Sequence, residues 1–542
     1  MFAALLGLVM PLASPAPRPA PRPTLVVLIA IDQFRGNYFE RFGPQLTGGL
    51  ARIRSRAALF PNGMQDHAMT ETAPGHSTML SGRDPARTGI VSNSKGVSDP
   101  TAPILGARTA PGASPRRFLG TTLYDWLLAA DPSSRVLSVS RKDRGAILPV
   151  GRASGDVYWY ADSLFTTSTY YASTLPPWVI AYNARRGPQR LAGRTWNLLL
   201  PESAYPEPDT MMFENNGGDF TFPHRMSAAP DTAALRLLNY PWMDSLTIDF
   251  ALTGLRELAL GRGDHTDLLV ISLSTTDAVG HAFGPDSREL HDQVLRVDRW
   301  LGGFFDSLYA AVPEDRVVVA FTSDHGVQSM PEYAAAIEHK PAGRVWFGDA
   351  ARGAASVMTD RFHTDFGFEF ETGLLSADVA LLRAHGTNVD SLAAAMAADV
   401  RGRRGVAKVF TPRSLAAAPA TDIDAVRWRK AIPAGFGWLI AGVLKPGFAW
   451  TSGTGAQHGT TNRADVSVPL AFMGPGIRPG VIGRPVRSVD IAPTLAAYLK
   501  VKPSEKLDGV VLPEVTSVSP AARDRRHDGK AASGRGRPAP GS

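Results

Sequence analysis

Val317-Val318-Val319-Ala320-Phe321-Thr322-Ser323-Asp324-His325-Gly326-Val327 decides the fold. The stretch begins as a run of β-branched and apolar residues, with Pro313-Glu314-Asp315 before it and Gly326 closing it. Such a run, bounded by turn residues, predicts a strand buried on both faces, as in a parallel sheet. Its last residues are Asp324 and His325, two potential metal ligands. In open α/β sheets the C-terminal edge of the strands is where ligands bind.

Two other stretches have the same shape. Residues 24–31, apolar after Thr24, end in Asp32; residues 267–276 end in Asp277, with His281 four residues later. A carboxylate delivered to a sheet edge costs stability unless a partner neutralises it. Three such endings, two of them with a histidine nearby, imply a shared cation.

Composition bounds the rest. The chain has 542 residues, 44% hydrophobic and 20% charged, ordinary for a globular protein and long enough for one large core with insertions or for two domains. It has no cysteine, which excludes disulfides, Cys-ligated zinc, iron–sulfur clusters and a Cys nucleophile. The net charge is +7, and residues 521–542 alone hold six Lys/Arg against two Asp. That Gly/Pro/Ala/Arg-rich segment has no apolar period, so residues 516–542 are expected to be a disordered, solvated basic tail, with no nucleic-acid partner. Residues 2–13 form an apolar run followed by Ala13-Ser14-Pro15-Ala16, similar to a signal peptide's core and cleavage region, although no basic residue precedes it. Residues 1–23 are therefore expected to be a leader, and the protein periplasmic or secreted. No stretch is long and apolar enough to span a membrane.

Between residues 24 and 515 strands alternate with helices, which argues for an α/β fold with a central, mostly parallel sheet flanked by helices. Thr70-Glu71-Thr72-Ala73-Pro74-Gly75-His76 opens a helix, since Pro74 suits its first turn. Thr72 then sits at the helix N-terminus, where free N–H groups and the dipole favour a phosphate or an alkoxide; a Thr there also serves as a plain cap. Asn93, in Gly89-Ile90-Val91-Ser92-Asn93, is a turn residue or an amide donor to a substrate oxygen. Residues 135–140 read as a strand leading to Lys142 and Arg144, which would share a face in extended backbone and bring two phosphate-binding cations to the carboxylate edge. Residues 151–230, aromatic and weakly periodic, are expected to be an insertion or cap rather than sheet. A helix from Asp286 carries Leu290, Val294, Val297, Leu301, Phe304 and Leu308 at helical spacing. Residues 329–440 form a second insertion, a small α/β subdomain, and the main pattern is expected to return with residues 438–444. Beyond it lie His458 and a last helix near residues 491–499.

The candidates are Asp32, Asp277, Asp324, His281, His325 and His458, with Thr72, Asn93, Lys142 and Arg144 beside them. His nitrogen and carboxylate oxygen suit zinc, at about 2.0–2.2 Å. Six ligands exceed one tetrahedral ion and fit two. Two ions about 3.5–4 Å apart clamp the attacking and leaving oxygens of a phosphoryl displacement.

These residues, in this order, resemble the alkaline phosphatase superfamily. The segments that carry the resemblance are Asp32, Thr72-Ala73-Pro74-Gly75-His76, Gly89-Ile90-Val91-Ser92-Asn93, Asp277 with His281, Asp324-His325-Gly326 and His458-Gly459. The nearest branch is the threonine-nucleophile one, which includes the nucleotide pyrophosphatase/phosphodiesterases. Within it, Ser140-Arg141-Lys142-Asp143-Arg144-Gly145-Ala146-Ile147 and the aromatic region around Tyr158-Trp159-Tyr160 are similar to the phosphate-irrepressible alkaline phosphatases, which are monoesterases. The resemblance spans roughly residues 24–500. It implies two Zn²⁺ ions, one held by Asp277, His281 and His458, the other by Asp32, Asp324, His325 and deprotonated Thr72. It implies that Thr72 attacks phosphorus to give a phosphothreonine that is then hydrolysed, with Asn93, Lys142 and Arg144 on the non-bridging oxygens. The expected partner is a small phosphate monoester, and the expected state a monomer. A phosphodiesterase of the same superfamily is the alternative; an inactive metal-binding protein is a third reading, and a sulfatase is disfavoured because Thr72 stands where a modified residue would.

Overall fold

The computed structural model describes residues 22–516. The leader and basic tail expected at the two ends lie outside the described residues, apart from residues 22–23 and 516. Five parallel strands form the centre of the main sheet, in the order Val317–Thr322, Leu25–Ile31, Asp267–Leu273, Val136–Ser140, Asp156–Ala161. Ser467–Met473 runs antiparallel between Val317–Thr322 and Ala58–Met64, and Leu164–Thr166 closes the opposite edge antiparallel to Asp156–Ala161.

The central strands are apolar on both faces because both faces are covered. Leu25, Val27, Ile29 and Ile31 pack on one side with Leu290, Val294, Leu301 and Phe304 of the helix Arg288–Ala311 and with Phe250 and Leu255 of Trp242–Glu257. Val26, Leu28 and Ala30 pack on the other side with Met79, with Leu123 and Leu127, and with Ile491 and Leu495. Helix Arg288–Ala311 starts where Ser287 caps it, its hydroxyl accepting from the Leu290 N–H. The register is flush: Ala30 lies opposite both Ser272 and Thr322, so the neighbouring strands end together and their C-terminal residues meet at one edge.

Two sequence expectations change. Residues 156–166, expected outside the sheet, supply its last two strands. Val157 and Trp159 are buried in one core, Tyr158 and Tyr160 in the other, so no polar face exists to create an alternating pattern. Residues 438–444 do not return to the main sheet. Trp438–Leu444 is an inner strand of a four-stranded antiparallel sheet with Glu369–Glu371, Leu374–Ser376 and Val406–Phe410. This small sheet packs on the Ala-rich helix Val389–Arg401 around a core of its own that includes Ala393, Ala397, Leu439 and Ile440. Ile440 and Leu444 are buried in that core, Ala441 and Val443 in a second one with Trp428, so both faces are covered, which gives a run indistinguishable in sequence from a main-sheet strand.

Candidate active site

Asp32 follows the strand Leu25–Ile31 and Asp324 follows Val317–Thr322; both are fully buried. Asp277 reaches the same place differently. Its strand stops at Leu273, and Asp277 and His281 lie one turn apart on the helix Thr275–Phe283, the carboxylate 3.2 Å from the imidazole. His458 comes from a loop remote in sequence, its Nε2 3.2 Å from that of His281 and 3.7 Å from Asp277 Oδ1. His325 Nε2 lies 3.4 Å from Asp32 Oδ1 and 3.6 Å from Asp324 Oδ2. Two sets of donor atoms thus converge, each within 4.8 Å: Asp277, His281 and His458, and Asp32, Asp277 and His325.

These residues fit bound cations. A backbone carbonyl can only accept, so a ring nitrogen bonded to one carries the proton. The Nδ1 atoms of His281, His325 and His458 donate to the carbonyls of Ala456, Gly326 and Thr70, at 2.7, 2.9 and 2.7 Å. Each Nε2 therefore presents its lone pair to the cluster, the arrangement that orients histidine toward a metal. Burial, with His325 and His281 beside it, pushes His458 well below the usual histidine range, and burial also lowers His325. His281 moves up, because Asp277 outweighs burial. Burial drives Asp32 well above the usual carboxylate range, reinforced by Asp277 and Asp324 and opposed by Lys142. Asp32 Oδ1, Asp324 Oδ2 and His325 Nε2 are buried without a hydrogen bond. Lys142 is bonded to Asp277 and Asp32, and the acceptors left unpaired beside them are places for further positive charge.

Thr72 is the first residue of the helix Thr72–Met79 and is buried. Asn93 Oδ1 accepts from the Ala73 N–H at 2.9 Å, while the Asn93 N–H donates to Glu71 Oε2 at 2.8 Å. The carbonyl of Asn93 is thus engaged in capping the helix, and its NH₂ is what remains to offer a substrate. Lys142 Nζ donates to Thr72 Oγ1 at 3.1 Å and to Asp277 Oδ2 at 2.6 Å, and pairs with Asp32 at 2.5 Å. The sequence alone places Lys142 and Arg144 on one face of an extended segment. The strand ends at Ser140 instead, and Arg144 lies in the helix Asp143–Ile147, paired with Asp143 at 3.6 Å. The helical turn after Lys142 breaks the two-residue period on which that expectation rests.

Three further residues support the site. Gln33 donates through its backbone to Asp324 Oδ1 at 3.1 Å and through Nε2 to Asp277 Oδ1 at 2.9 Å; its place after Asp32 is its only sequence signal. His76, in the helix Thr72–Met79, reaches Ser272 Oγ at 2.9 Å and lies 3.3 Å from Asp324 Oδ2. Glu71 is buried and pushed up to about 8 by burial and by Glu371, and Thr372 donates to it from the tip of the small subdomain's hairpin. Gly75 lets the helix lie on the Asp324 backbone: a Cβ there would meet Asp324 O at 2.1 Å. Gly75→Ala is expected to cost about 1–3 kcal/mol of stability and to lower metal content. A melting curve and elemental analysis measure both; unchanged values would mean that the helix can lift without disturbing Asp324.

Other histidines serve elsewhere. His224 bonds Glu289 at 2.9 Å and His291 bonds Glu207 at 2.8 Å.

Residues 26–424 match the family described as type I phosphodiesterase / nucleotide pyrophosphatase. The chain belongs to that family. Alkaline phosphatases are among its relatives. PhoV of Synechococcus elongatus is 30% identical over 513 residues, covering 90% of this chain and 92% of its own. PhoK of Sphingomonas sp is 31% identical over 518 residues, covering 90% of both chains. The crystal structure of alkaline phosphatase PafA superposes with a TM-score of 0.82 at 28% identity, over 92% of this chain and all of that one. The fold is therefore that of PafA: a central, mostly parallel sheet flanked by helices. Within the family, the question left to the site is how many ester bonds the substrate phosphate carries.

Proposed function

We propose that the protein is an alkaline phosphatase, a metal-dependent hydrolase of phosphate monoesters that acts through Thr72. The observation that carries this reading is the Lys142 ammonium, which bonds the Thr72 hydroxyl and two carboxylates of the ligand cluster together. A fixed cation beside the nucleophile suits a phosphoryl group with two negative charges. When bound, two divalent ions, zinc from the His/Asp donor set, supply Lewis acidity at the attacking and leaving oxygens.

The chain's own residues do the rest. Lys142 and the N-terminus of the Thr72–Met79 helix favour the deprotonated hydroxyl of Thr72. Thr72 Oγ1 bonds to phosphorus as the ester oxygen leaves, giving a phosphothreonine. Water attacks that phosphorus in the second step and frees Thr72. The NH₂ of Asn93 and the ammonium of Lys142 donate to non-bridging oxygens, whose charge needs donors already in place. Arg144 is the third proposed contact to them. The ligand roles proposed are Asp277, His281 and His458 for one ion, and Asp32, Asp324 and His325, with Thr72, for the other.

The second reading is a phosphodiesterase, which the description of the matched family favours. A diester presents two non-bridging oxygens and one charge, so it gains less from Lys142 and Arg144. Charged hydrogen bonds are worth about 1.5–3 kcal/mol each, and losing both corresponds to roughly two to four powers of ten in rate if they add. Lys142→Ala/Arg144→Ala is expected to lower kcat/KM on an aryl phosphate monoester by that much and on the matching diester far less. Lys142 alone should account for the larger part, since Arg144 is partly turned to Asp143. Equal losses would show that these cations do not discriminate, and a wild-type preference for the diester would move the assignment to the phosphodiesterase reading.

No helix among the described residues is long and apolar enough to cross a membrane. The apolar residues 2–13 and the Ala13-Ser14-Pro15-Ala16 segment support export, and cleavage within residues 13–23, read by N-terminal sequencing of the mature protein, is the expected result.

A further inference from the structure

We propose that the cavity beside Asp277 and His281 is a leaving-group site for phosphate monoesters whose leaving group carries a second anionic group, a carboxylate or a phosphate, and that Arg141 binds it. This rests on the monoesterase reading and names the substrate class within it.

The cavity has a volume of about 920 Å³, and its walls include Arg141, Arg236, Asn239 and Tyr240 together with Asp277 and His281. Asp219 also lines it, its carboxylate 3.3 Å from His224 Nδ1. That size is ample for a small organic phosphate. Asp277 and His281 belong to both the ligand cluster and the cavity, whereas Thr72 is not among the described residues lining it. In-line displacement sends the leaving group away from the nucleophile, so it enters this space.

Arg141 gives the cavity its chemistry. A guanidinium has five N–H donors and keeps its charge. Here Nη1 donates to the Leu238 carbonyl at 3.3 Å, and Nε is buried without a hydrogen bond. Among the described residues no carboxylate lies within ion-pair distance of Arg141, and Asp32 and Asp277, the charges that act on it most, are already paired with Lys142. A partly buried cation whose Nε is shut off from water without a hydrogen bond gains from an anion that joins it. The planar fork suits the two oxygens of a carboxylate or phosphate. Arg236 is exposed and lies on the same cavity, adding a second positive charge, and Tyr240 and Asn239 add a ring and an amide to its lining.

The competing role for Arg141 is simple charge balance for Asp277 and Asp32, and the test separates the two. Binding of three non-hydrolysable probes to the zinc-loaded protein is measured by calorimetry: propylphosphonate, carboxyethylphosphonate and propylenediphosphonate. The two doubly functional probes are expected to bind about tenfold or more tightly than propylphosphonate, and the stronger of them identifies carboxylate or phosphate as the preferred group. Arg141→Gln should reduce that advantage to about twofold; Arg141→Lys, which keeps charge but not the fork, should retain part of it. Arg236→Ser should reduce it by a smaller factor. Equal affinity of the three probes in wild type overturns the proposal, as does an undiminished advantage in Arg141→Gln, which is what charge balance predicts. If Arg141→Gln does not fold, the wild-type comparison and Arg141→Lys decide. The readout is binding, so it stands apart from the monoesterase reading, whose failure would appear as no phosphate release from phenyl phosphate by the same zinc-loaded protein.

Discussion

Thr72→Ala is expected to lower kcat on an aryl phosphate by on the order of 10⁴–10⁶-fold, the scale seen when a covalent nucleophile is removed. The attacking oxygen is lost, and with it one methyl group. The helix start survives, because Asn93 Oδ1 caps the Ala73 N–H and the backbone of residue 72 is unchanged. Metal content should stay near the wild-type value, since Asp32, Asp277, Asp324, His281, His325 and His458 remain. Elemental analysis and a melting curve alongside the rates therefore separate loss of the nucleophile from loss of the site. Thr72→Ser, which keeps a hydroxyl, should recover a measurable part of the activity. In wild type, acid quenching during turnover should trap phosphate on the peptide that contains Thr72. Thr70 and Ser77 are poor rivals, their hydroxyls donating to the carbonyls of Thr460 and Pro74 at 2.9 and 2.7 Å. Label on either of them would refute the assignment.

Chelation is expected to lower activity by about 10³-fold or more, since Lewis-acid stabilisation of the transition state is worth several kcal/mol. Zinc should restore it better than magnesium, because three of the donors are imidazole nitrogens and magnesium prefers oxygen. The same removal should lower thermal stability. Asp32, Asp277 and Asp324 are buried together, and Lys142 pairs with the first two of them. A cation at about a thousand times its dissociation constant adds about 4 kcal/mol to folding. The melting temperature should therefore fall on chelation and rise again with added zinc. Asp324→Ala and His458→Ala should each lose metal as well as rate. Full activity in protein shown to be metal-free would sink the metal-dependent reading, whatever its melting behaviour.

Much of the fold is legible because its central strands have an unambiguous signature. Residues 25–31, 268–271 and 317–321 are apolar throughout, and only a sheet covered on both faces hides such strands. The helix Arg288–Ala311 is equally plain, its apolar residues recurring along one face. Where burial is two-sided but the residues are aromatic, as in Asp156–Ala161, the same physics produces no readable period, and the strand passes for part of an insertion. Trp438–Leu444 misleads in the opposite way. Its pattern announces a buried strand correctly but cannot say which sheet buries it. Burial is a property of the segment, whereas pairing is a property of two segments, and nothing local encodes the partner.

The site divides along the same line. By itself the sequence determined which residue types stand at the ends of the central strands, that Thr72 opens a helix, and the family to which such an order of residues belongs. Only the tertiary structure decided that His458 lies 3.2 Å from His281 across a long separation in the chain, and that Gln33 holds Asp277 and Asp324 at once. It also decided that Lys142 enters the cluster while Arg144 turns with its helix toward Asp143, and that Arg141 stands on a cavity wall with no carboxylate of the described residues within ion-pair distance. The reason is physical. Ionisable groups act over a few ångströms, and local propensity fixes where each segment starts and stops. The distances between segments come from sheet register and from helices packing on both faces.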